Sequence, residues 1–364
     1  MSIQEKIRAI EEEIARTQIN KATNRHLGVL KARIARLKER EREQVEKTRE
    51  KKGEGYSIQK DGDATVVLLG MPSVGKSTLL NHLTNSNSRV GAWDFTTLSV
   101  IPGILQYKGA QIQILDIPGI IKGASEGKGL GKRILSITRN ADLLLIVVDV
   151  FNPSIREVLL EELRAISIRP DEKPPNVIIE KRDSGGIVIT DLVGMTKMEE
   201  NGMKEVLREY KYHNSRVLVR EDISYESFVD VLLKNTVYIE TLTVINKIDM
   251  INSALLKEIQ ESNEFTFLPI SAENDINLEI LKERIFEKLD LIRVYMRPKG
   301  MKPDFEDPLI IRKGSSVEDI ADKIHGELKN DLRFTRVWGK SVKYRGQKVS
   351  LNHQPVDEDI LTFY

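Results

Sequence analysis

Near the start of the chain, Ile3, Ile7, Ile10 and Ile14 step by four, three and four positions, and Leu27, Leu30, Ile34 and Leu37 step by three, four and three. Each set forms an apolar stripe along one face of a helix. The polar stretch Asn20–Asn24 separates them, which predicts an antiparallel helical hairpin. The charged run Lys38–Lys52 carries the second helix into solvent, and Gly53 and Gly55 mark its end.

From Ala64 the period changes. TVVLLG (65–70), IQILDIPG (112–119), LLLIVVD (143–149) and LTVINKID (242–249) are short, nearly continuous apolar runs with helical patterns between them. Strands apolar on both faces and separated by helices predict a buried parallel sheet, hence an α/β fold. The stretch from 149 to 242 is much longer than one crossover helix requires. Within it, NVIIEKRDSGGIVIT (176–190) reads as a β-hairpin turning at Gly185-Gly186. A helix over 198–210, a strand over 216–221 and a helix over 225–234 follow, so a small α+β domain is expected as an insertion. The chain then restarts with a strand at 292–296 and a second in PLIIRKG. A capped helix start follows at Ser316-Val317-Glu318-Asp319, and more short strands complete a β-grasp pattern. The expected domains are 1–60 (helical hairpin), 61–166 and 239–291 (two parts of the α/β domain), 167–238 (insertion) and 292–364 (β-grasp).

Apolar residues make up 40% of the chain and charged residues 30%, which suits a folded soluble protein and argues against disorder. No apolar run is long enough to span a membrane, and the N-terminus lacks the pattern of a secretion signal, so a cytoplasmic location is expected. The chain has no cysteine, which excludes disulfides, thiolate metal sites and a cysteine nucleophile. The net charge of +1 is unevenly spread: residues 1–60 hold 16 Lys/Arg against 10 Asp/Glu, and residues 293–364 hold 14 against 11. Basic ends on an acidic middle fit contact with nucleic acid at the ends, and equally fit plain solvated surfaces.

The strongest chemical signal is GMPSVGKS (70–77), which lies between a predicted strand and a predicted helix. It matches the phosphate-binding pattern G-x-x-x-x-G-K-[ST] in its required context. Gly70 and Gly75 let backbone N–H groups approach phosphates, and Pro72, Ser73 and Val74 complete the loop. Lys76 is placed to contact the β- and γ-phosphates, and Ser77 to give its hydroxyl to Mg2+. Thr78 follows at the start of the helix.

Asp116-Ile117-Pro118-Gly119 ends a strand, so Asp116 can hold the metal and the Gly119 N–H can face the γ-phosphate. Asn246-Lys247-Ile248-Asp249 decides the base. The Asp249 carboxylate accepts two hydrogen bonds from guanine N1–H and the 2-amino group, and adenine offers neither. Lys247 can lie over the base while Asn246 braces the loop. Ser271-Ala272, after FTFLPI, is expected to give a backbone N–H to the guanine O6. An ATP-using phosphate-loop enzyme would leave the 246–249 tetrad without a purpose.

Thr97 in DFTT (94–97) is the expected switch threonine and third metal contact, with Thr96 the competing choice. GIIKGASEGKGLG (119–131) holds five glycines in thirteen residues beside the γ-phosphate sensor, which reads either as an order–disorder switch or as a plain surface loop. Ile120 stands where Ras-type proteins place the glutamine that orients the attacking water.

FTTLSVIPG (95–103) and DIPGIIKGASEGKGLGKR (116–133) resemble the signatures of the developmentally regulated GTP-binding family within the Obg group of P-loop GTPases. KPPNVIIEKRDSGGIVI, EYKYHNSRVLVRED and PDFEDPLIIRKGSSVEDIADKIH extend the resemblance over nearly the whole chain. It implies an N-terminal helical domain, a Ras-like nucleotide domain with a ribosomal-protein-like insertion, and a C-terminal TGS domain. It also implies GTP and GDP as ligands, Mg2+ as cofactor, association with ribosomes or translation factors, and a stabilising protein partner in eukaryotic relatives. Potassium-activated relatives carry asparagine at the place of Ser73; serine is the poorer ligand, so the resemblance leaves K+ open. The reading is a GTP-hydrolysing switch that acts in translation, against a scaffold that binds nucleotide and works only by docking RNA or protein.

Overall fold

The structure is a computed structural model that describes residues 3–18, 20, 23–50, 62–84, 93–95, 98–117, 134, 136–324 and 332–364. The chain forms two compact units, one of residues 1–57 with 167–238 and one of residues 58–166 with 239–364. In chain order, α1 (Ile3–Arg16) and α2 (Asn24–Glu50) precede β1 (Ala64–Leu69), α3 (Lys76–Leu83), β2 (Trp93–Phe95), β3 (Leu98–Tyr107), β4 (Ala110–Asp116), β5 (Leu143–Asp149) and α4 (Ile155–Ala165). Then come β6 (Ile168–Pro170), β7 (Val177–Lys181), β8 (Ile187–Asp191), α5 (Glu200–Glu209), β9 (Ser215–Val219), α6 (Tyr225–Leu233) and β10 (Val237–Ile239). The chain closes with β11 (Thr241–Asn246), α7 (Ser253–Ser262), β12 (Leu268–Pro269), α8 (Leu278–Lys288), β13 (Leu291–Met296), β14 (Leu309–Arg312), α9 (Val317–Ile324), β15 (Thr335–Trp338), β16 (Gln347–Val349) and β17 (Asp359–Phe363). Among the described residues no helix is long and apolar enough to cross a membrane.

In the first unit the helical hairpin forms as the two stripes predict. Its connection is fixed by a reciprocal pair: Asn20 Oδ1 accepts the Thr23 N–H at 2.9 Å and Thr23 Oγ1 accepts the Asn20 N–H at 3.0 Å. Ala32 of α2 is fully buried with Met203, Val206 and Leu207 of α5 and Phe228 of α6. Tyr225 is the wedge of this core. A Cβ on Gly28 would fall 2.3 Å from its ring, and one on Gly202 would fall 2.0 Å from its hydroxyl, so both positions need glycine.

The expected hairpin over 176–190 is corrected. β7 and β8 do not pair with each other, because β9 lies between them, antiparallel to β7 and parallel to β8. The chain does turn at Gly185 and Gly186, both at positive φ. Burial selects the central strand. Ser215, Val217 and Val219 of β9 are fully buried, whereas β7 and β8 carry exposed charges at Glu180, Lys181 and Asp191.

In the second unit a seven-stranded sheet runs in the order β12-β11-β5-β1-β4-β3-β2. β12, β11, β5, β1 and β4 are parallel, and β3 and β2 turn antiparallel at one edge. All six residues of β1 are buried, as expected for a central strand covered on both faces. The register sets Leu68 beside Asp116 and Asn246 beside Asp149, so the carboxyl ends of four strands gather at one edge. That edge is where open α/β sheets bind ligands.

The C-terminal sheet has the order β14-β13-β17-β15-β16, with β13 and β17 parallel and the other pairs antiparallel. It packs Val294, Ile311, Val337 and Leu361 against Ile320 of α9. The helix starts as predicted: Ser316 Oγ accepts the Asp319 N–H at 3.2 Å, and Asp319 Oδ2 accepts the Ser316 N–H at 2.7 Å. Asp142, just before β5, accepts the Thr65 N–H on Oδ2 at 2.8 Å and holds Arg312 of β14 on Oδ1.

Candidate functional site

The site is built on the carboxyl edge of the seven-stranded sheet. The loop from Gly70 to Gly75 leaves β1 and enters α3 at Lys76. Its glycines are required by close backbone approaches. A Cβ on Gly70 would lie 2.3 Å from the Val147 carbonyl, and one on Gly75, at φ +91°, would lie 2.5 Å from Asn246 Nδ2. Ser73 also takes positive φ, at 64°. Pro72 and Ser73 are exposed, Val74 is buried beneath them and Thr78 is half-buried on the first turn of α3. Backbone amides at such a helix start form an anion-binding concavity.

Lys76 is 8% exposed, and its ammonium donates to the carbonyls of Gly70 and Met71, each at 3.0 Å. Burial pushes its pKa down, and the Asp116 charge opposes that shift. Ser77 Oγ donates to Asp116 Oδ2 at 2.8 Å. The other carboxylate oxygen, Asp116 Oδ1, is buried with no hydrogen-bond partner among the described residues. A hydroxyl beside a carboxylate with an unsatisfied oxygen is a hard donor pair that suits Mg2+, which takes few protein ligands and keeps the rest of its shell for water and phosphate. No cluster of three or more metal-binding His, Asp or Glu occurs among the described residues.

The 246–249 tetrad ends β11. Asn246, 2% exposed, donates Nδ2 to the Val74 carbonyl at 2.9 Å and accepts the Ala272 N–H on Oδ1 at 2.9 Å. One side chain thus ties the phosphate loop to the segment after β12. Lys247 sits at φ +68° and donates Nζ to the Ser73 carbonyl at 2.7 Å, with Asp149 Oδ2 at 3.8 Å. Its ammonium is thereby anchored to the phosphate loop. Asp249 is exposed on the short turn Ile248–Met250. Ser271 and Ala272 are buried. The Ser271 N–H goes to the Ile276 carbonyl at 3.2 Å and the Ala272 N–H to Asn246, so a base oxygen would share the latter amide.

Sequence reasoning passed over Asp149. It ends an apolar strand as Asp116 does, and that signal was available in LLLIVVD. Its Oδ1 accepts the N–H groups of Phe151 and Asn152 at 3.2 and 3.1 Å, which fixes its carboxylate beside Lys247. His82 of α3 bonding Asp275 at 2.7 Å is a second link, between distant segments, with no sequence signal. Thr96, Thr97, Gly119, Ile120 and the rest of the glycine-rich stretch to Gly131 lie outside the described residues.

Three family models match the chain. One described as a 50S ribosome-binding GTPase matches residues 65–182, one described as the C-terminal region of that domain matches 184–291, and a TGS domain matches 292–364. A GTP-binding protein of Methanocaldococcus jannaschii is 48% identical, over 100% of this chain and 93% of its own. Developmentally-regulated GTP-binding protein 2 of Homo sapiens is 42% identical, over 99% of each. Among solved structures, the YchF GTPase of Schizosaccharomyces pombe is 17% identical, with 84% of this chain and 99% of that one covered at a TM-score of 0.45.

Proposed function

Since this chain belongs to the developmentally regulated GTP-binding family of P-loop GTPases, we propose that it hydrolyses GTP to GDP and phosphate as a slow switch in the cytoplasm, associated with ribosomes or translation factors. The observation that carries the reading is the joint of Lys76, Ser77 and Asp116 with the Asn246 tie between the phosphate loop and the base segment.

Phosphate-loop GTPases generally use Mg2+, and here Ser77 and Asp116 would hold it, with Thr97 as the third contact. The metal would neutralise charge on the β- and γ-phosphates. The protein does the rest by position. The loop amides and Lys76 bind the phosphates, Lys247 covers the base, Asp249 reads its N1–H and 2-amino group, and Gly119 senses the γ-phosphate. K+ stays a further candidate: Ser73 stands where potassium-activated relatives carry asparagine, and serine is the poorer ligand, so rates in KCl and NaCl decide it.

The family model described as a 50S ribosome-binding GTPase and the TGS match support translation as the setting, as do the basic ends of the chain. A eukaryotic-type stabilising protein partner belongs to the same reading. Single-turnover phosphate release from GTP and ATP, with Mg2+ and with chelator, tests the enzyme. Release from ATP as fast as from GTP, or release unaffected by chelation, would refute it. Co-sedimentation with ribosomes in GDP and in a non-hydrolysable GTP analogue tests the setting.

A further inference from the structure

Two side chains outside the nucleotide motifs join α3 to the loop after β12. His82 lies on the last turn of α3, the helix that Lys76 and Ser77 open. Its Nδ1 stands 2.7 Å from Asp275 Oδ1. A carboxylate only accepts, so the imidazole Nδ1–H is the donor. Asp275 sits at φ +53° and Asn277 at φ +62°, left-handed conformations in residues that carry a side chain. Such conformations cost energy and persist where surrounding contacts fix them.

The loop is a short excursion closed at its foot. The Ser271 N–H donates to the Ile276 carbonyl at 3.2 Å, and the Ile276 N–H donates back to the Ser271 carbonyl at 3.0 Å. Inside the loop the Asn274 N–H donates to Ser271 Oγ at 3.2 Å, and just beyond it Asn277 Nδ2 donates to the Pro269 carbonyl at 2.8 Å. Residues 272–275 therefore project beyond the foot. At one end of this stretch Ala272 is held by Asn246, which is tied to Val74 of the phosphate loop. At the other end Asp275 is held by His82, on the helix that continues that loop. An excursion attached at one point can pivot about its foot; one attached at two points cannot.

We propose that His82 and Asp275 are positioning residues for recognition of the purine 6-oxygen, a proposal that rests on the GTP reading above. They act through the Ala272 N–H. That amide is already given to Asn246 Oδ1, so a base oxygen has to share it, and a shared N–H weakens steeply when its angle drifts. The clasp holds the amide at a set place relative to the phosphate-binding end of α3, and one nucleotide then satisfies both subsites. The ordinary alternative is a surface ion pair. The two side chains are 34% and 69% exposed, and such pairs contribute little to stability. A positioning pair and a surface pair differ in what they do to base discrimination.

The test is equilibrium binding of the full chain to GDP, 6-thio-GDP, IDP and ADP. The thio analogue keeps the N1–H and the 2-amino group but offers sulfur, a weak acceptor, in place of the oxygen. IDP keeps the oxygen and lacks the 2-amino group. His82→Leu should shrink the preference for GDP over 6-thio-GDP at least about threefold. It should leave the preference for GDP over IDP, which Asp249 sets, as in wild type. His82→Gln, whose amide can donate to the same carboxylate, should restore most of the loss. Asp275→Gly keeps the left-handed backbone, removes the carboxylate and should act as His82→Leu does; in the double variant the losses should not add. The thermal midpoint of each variant reports intact folding. A wild type that binds 6-thio-GDP as tightly as GDP, or a His82→Leu variant with wild-type preference for the oxygen, would overturn the proposal and leave a surface contact. Loss of both preferences alike would overturn it too, because the pair would then support the base site as a whole. A wild type that binds ADP as well as GDP would remove the GTP reading and the proposal together.

Discussion

Asn246 Nδ2 donates to the carbonyl of Val74 at 2.9 Å, joining the end of a sheet strand to the middle of the phosphate loop. The same side chain accepts the Ala272 N–H, so its loss would orphan two backbone groups in a buried place. Each unsatisfied group costs about 1–3 kcal/mol, and Asn246→Ala is expected to destabilise the protein by roughly 2–4 kcal/mol. Urea unfolding of wild type and variant checks this, and an unchanged midpoint would contradict it. Gly75→Ala should strain the same contact, because its Cβ would fall 2.5 Å from Asn246 Nδ2. A double-mutant cycle should therefore show Gly75→Ala costing less in the Asn246→Ala background.

Lys76 is buried against its own electrostatics. Burial lowers its pKa below the ordinary lysine value, so the unfolded chain holds the proton more tightly than the folded one. Between the two pKa values the unfolded state binds more protons, and stability rises with pH there. Lys76→Met removes the buried charge. It also leaves the Gly70 and Met71 carbonyls without their donor, so relief of the buried charge and loss of two hydrogen bonds oppose each other, and at neutral pH the unfolding free energy is expected to fall by no more than about 2 kcal/mol. Relative to wild type the variant should lose further ground as pH climbs towards the lysine range. Nucleotide affinity should fall by roughly a hundredfold, since charge-assisted phosphate bonds are lost. Denaturation curves at neutral and alkaline pH, with GDP titrations alongside, measure both sides. A variant several kcal/mol less stable at neutral pH would show that the ammonium holds the loop together.

Asp249 is exposed at the turn after β11, and its carboxylate has no hydrogen bond or ion pair among the described residues. Asp249→Asn should leave folding intact and shift binding from guanine towards xanthine nucleotides, whose 2-oxo group accepts the new amide donor. Competition among GDP, XDP and ADP decides it. Retained preference for GDP in the variant would remove Asp249 from the base site.

The parallel sheet was legible because its strands are apolar on both faces, as in TVVLLG and LLLIVVD, and glycine or carboxylate punctuates their ends. The start of α9 was legible because Ser316 and Asp319 satisfy each other locally. The insertion was misread where pairing is not local. The strands that became β7 and β8 flank a glycine turn, yet β9 displaced the expected pairing because its buried Val217 and Val219 take the centre of the sheet. Likewise the phosphate loop announced itself in a contiguous pattern. The contact of Lys247 with Ser73, and Asp149 beside it, join segments far apart in sequence and leave no local signature.

Ile120 follows Gly119, at the place where Ras-type proteins carry the glutamine that orients the attacking water. Isoleucine has neither donor nor acceptor, so it cannot do so. Ser73 does not replace it: its carbonyl is engaged by Lys247 and its side chain is short. The water must be placed by another switch residue, a backbone group, a cation or a partner. Fixing a chain segment around the water costs about 1 kcal/mol or more for each residue ordered. A ribosome or RNA partner can supply the missing group when it binds. Basal turnover should therefore be low and should rise with ribosomes. Ile120→Ala should change steady-state phosphate release far less than Lys76→Ala. A hundredfold collapse in folded Ile120→Ala would mean that this side chain takes part in placing the water after all.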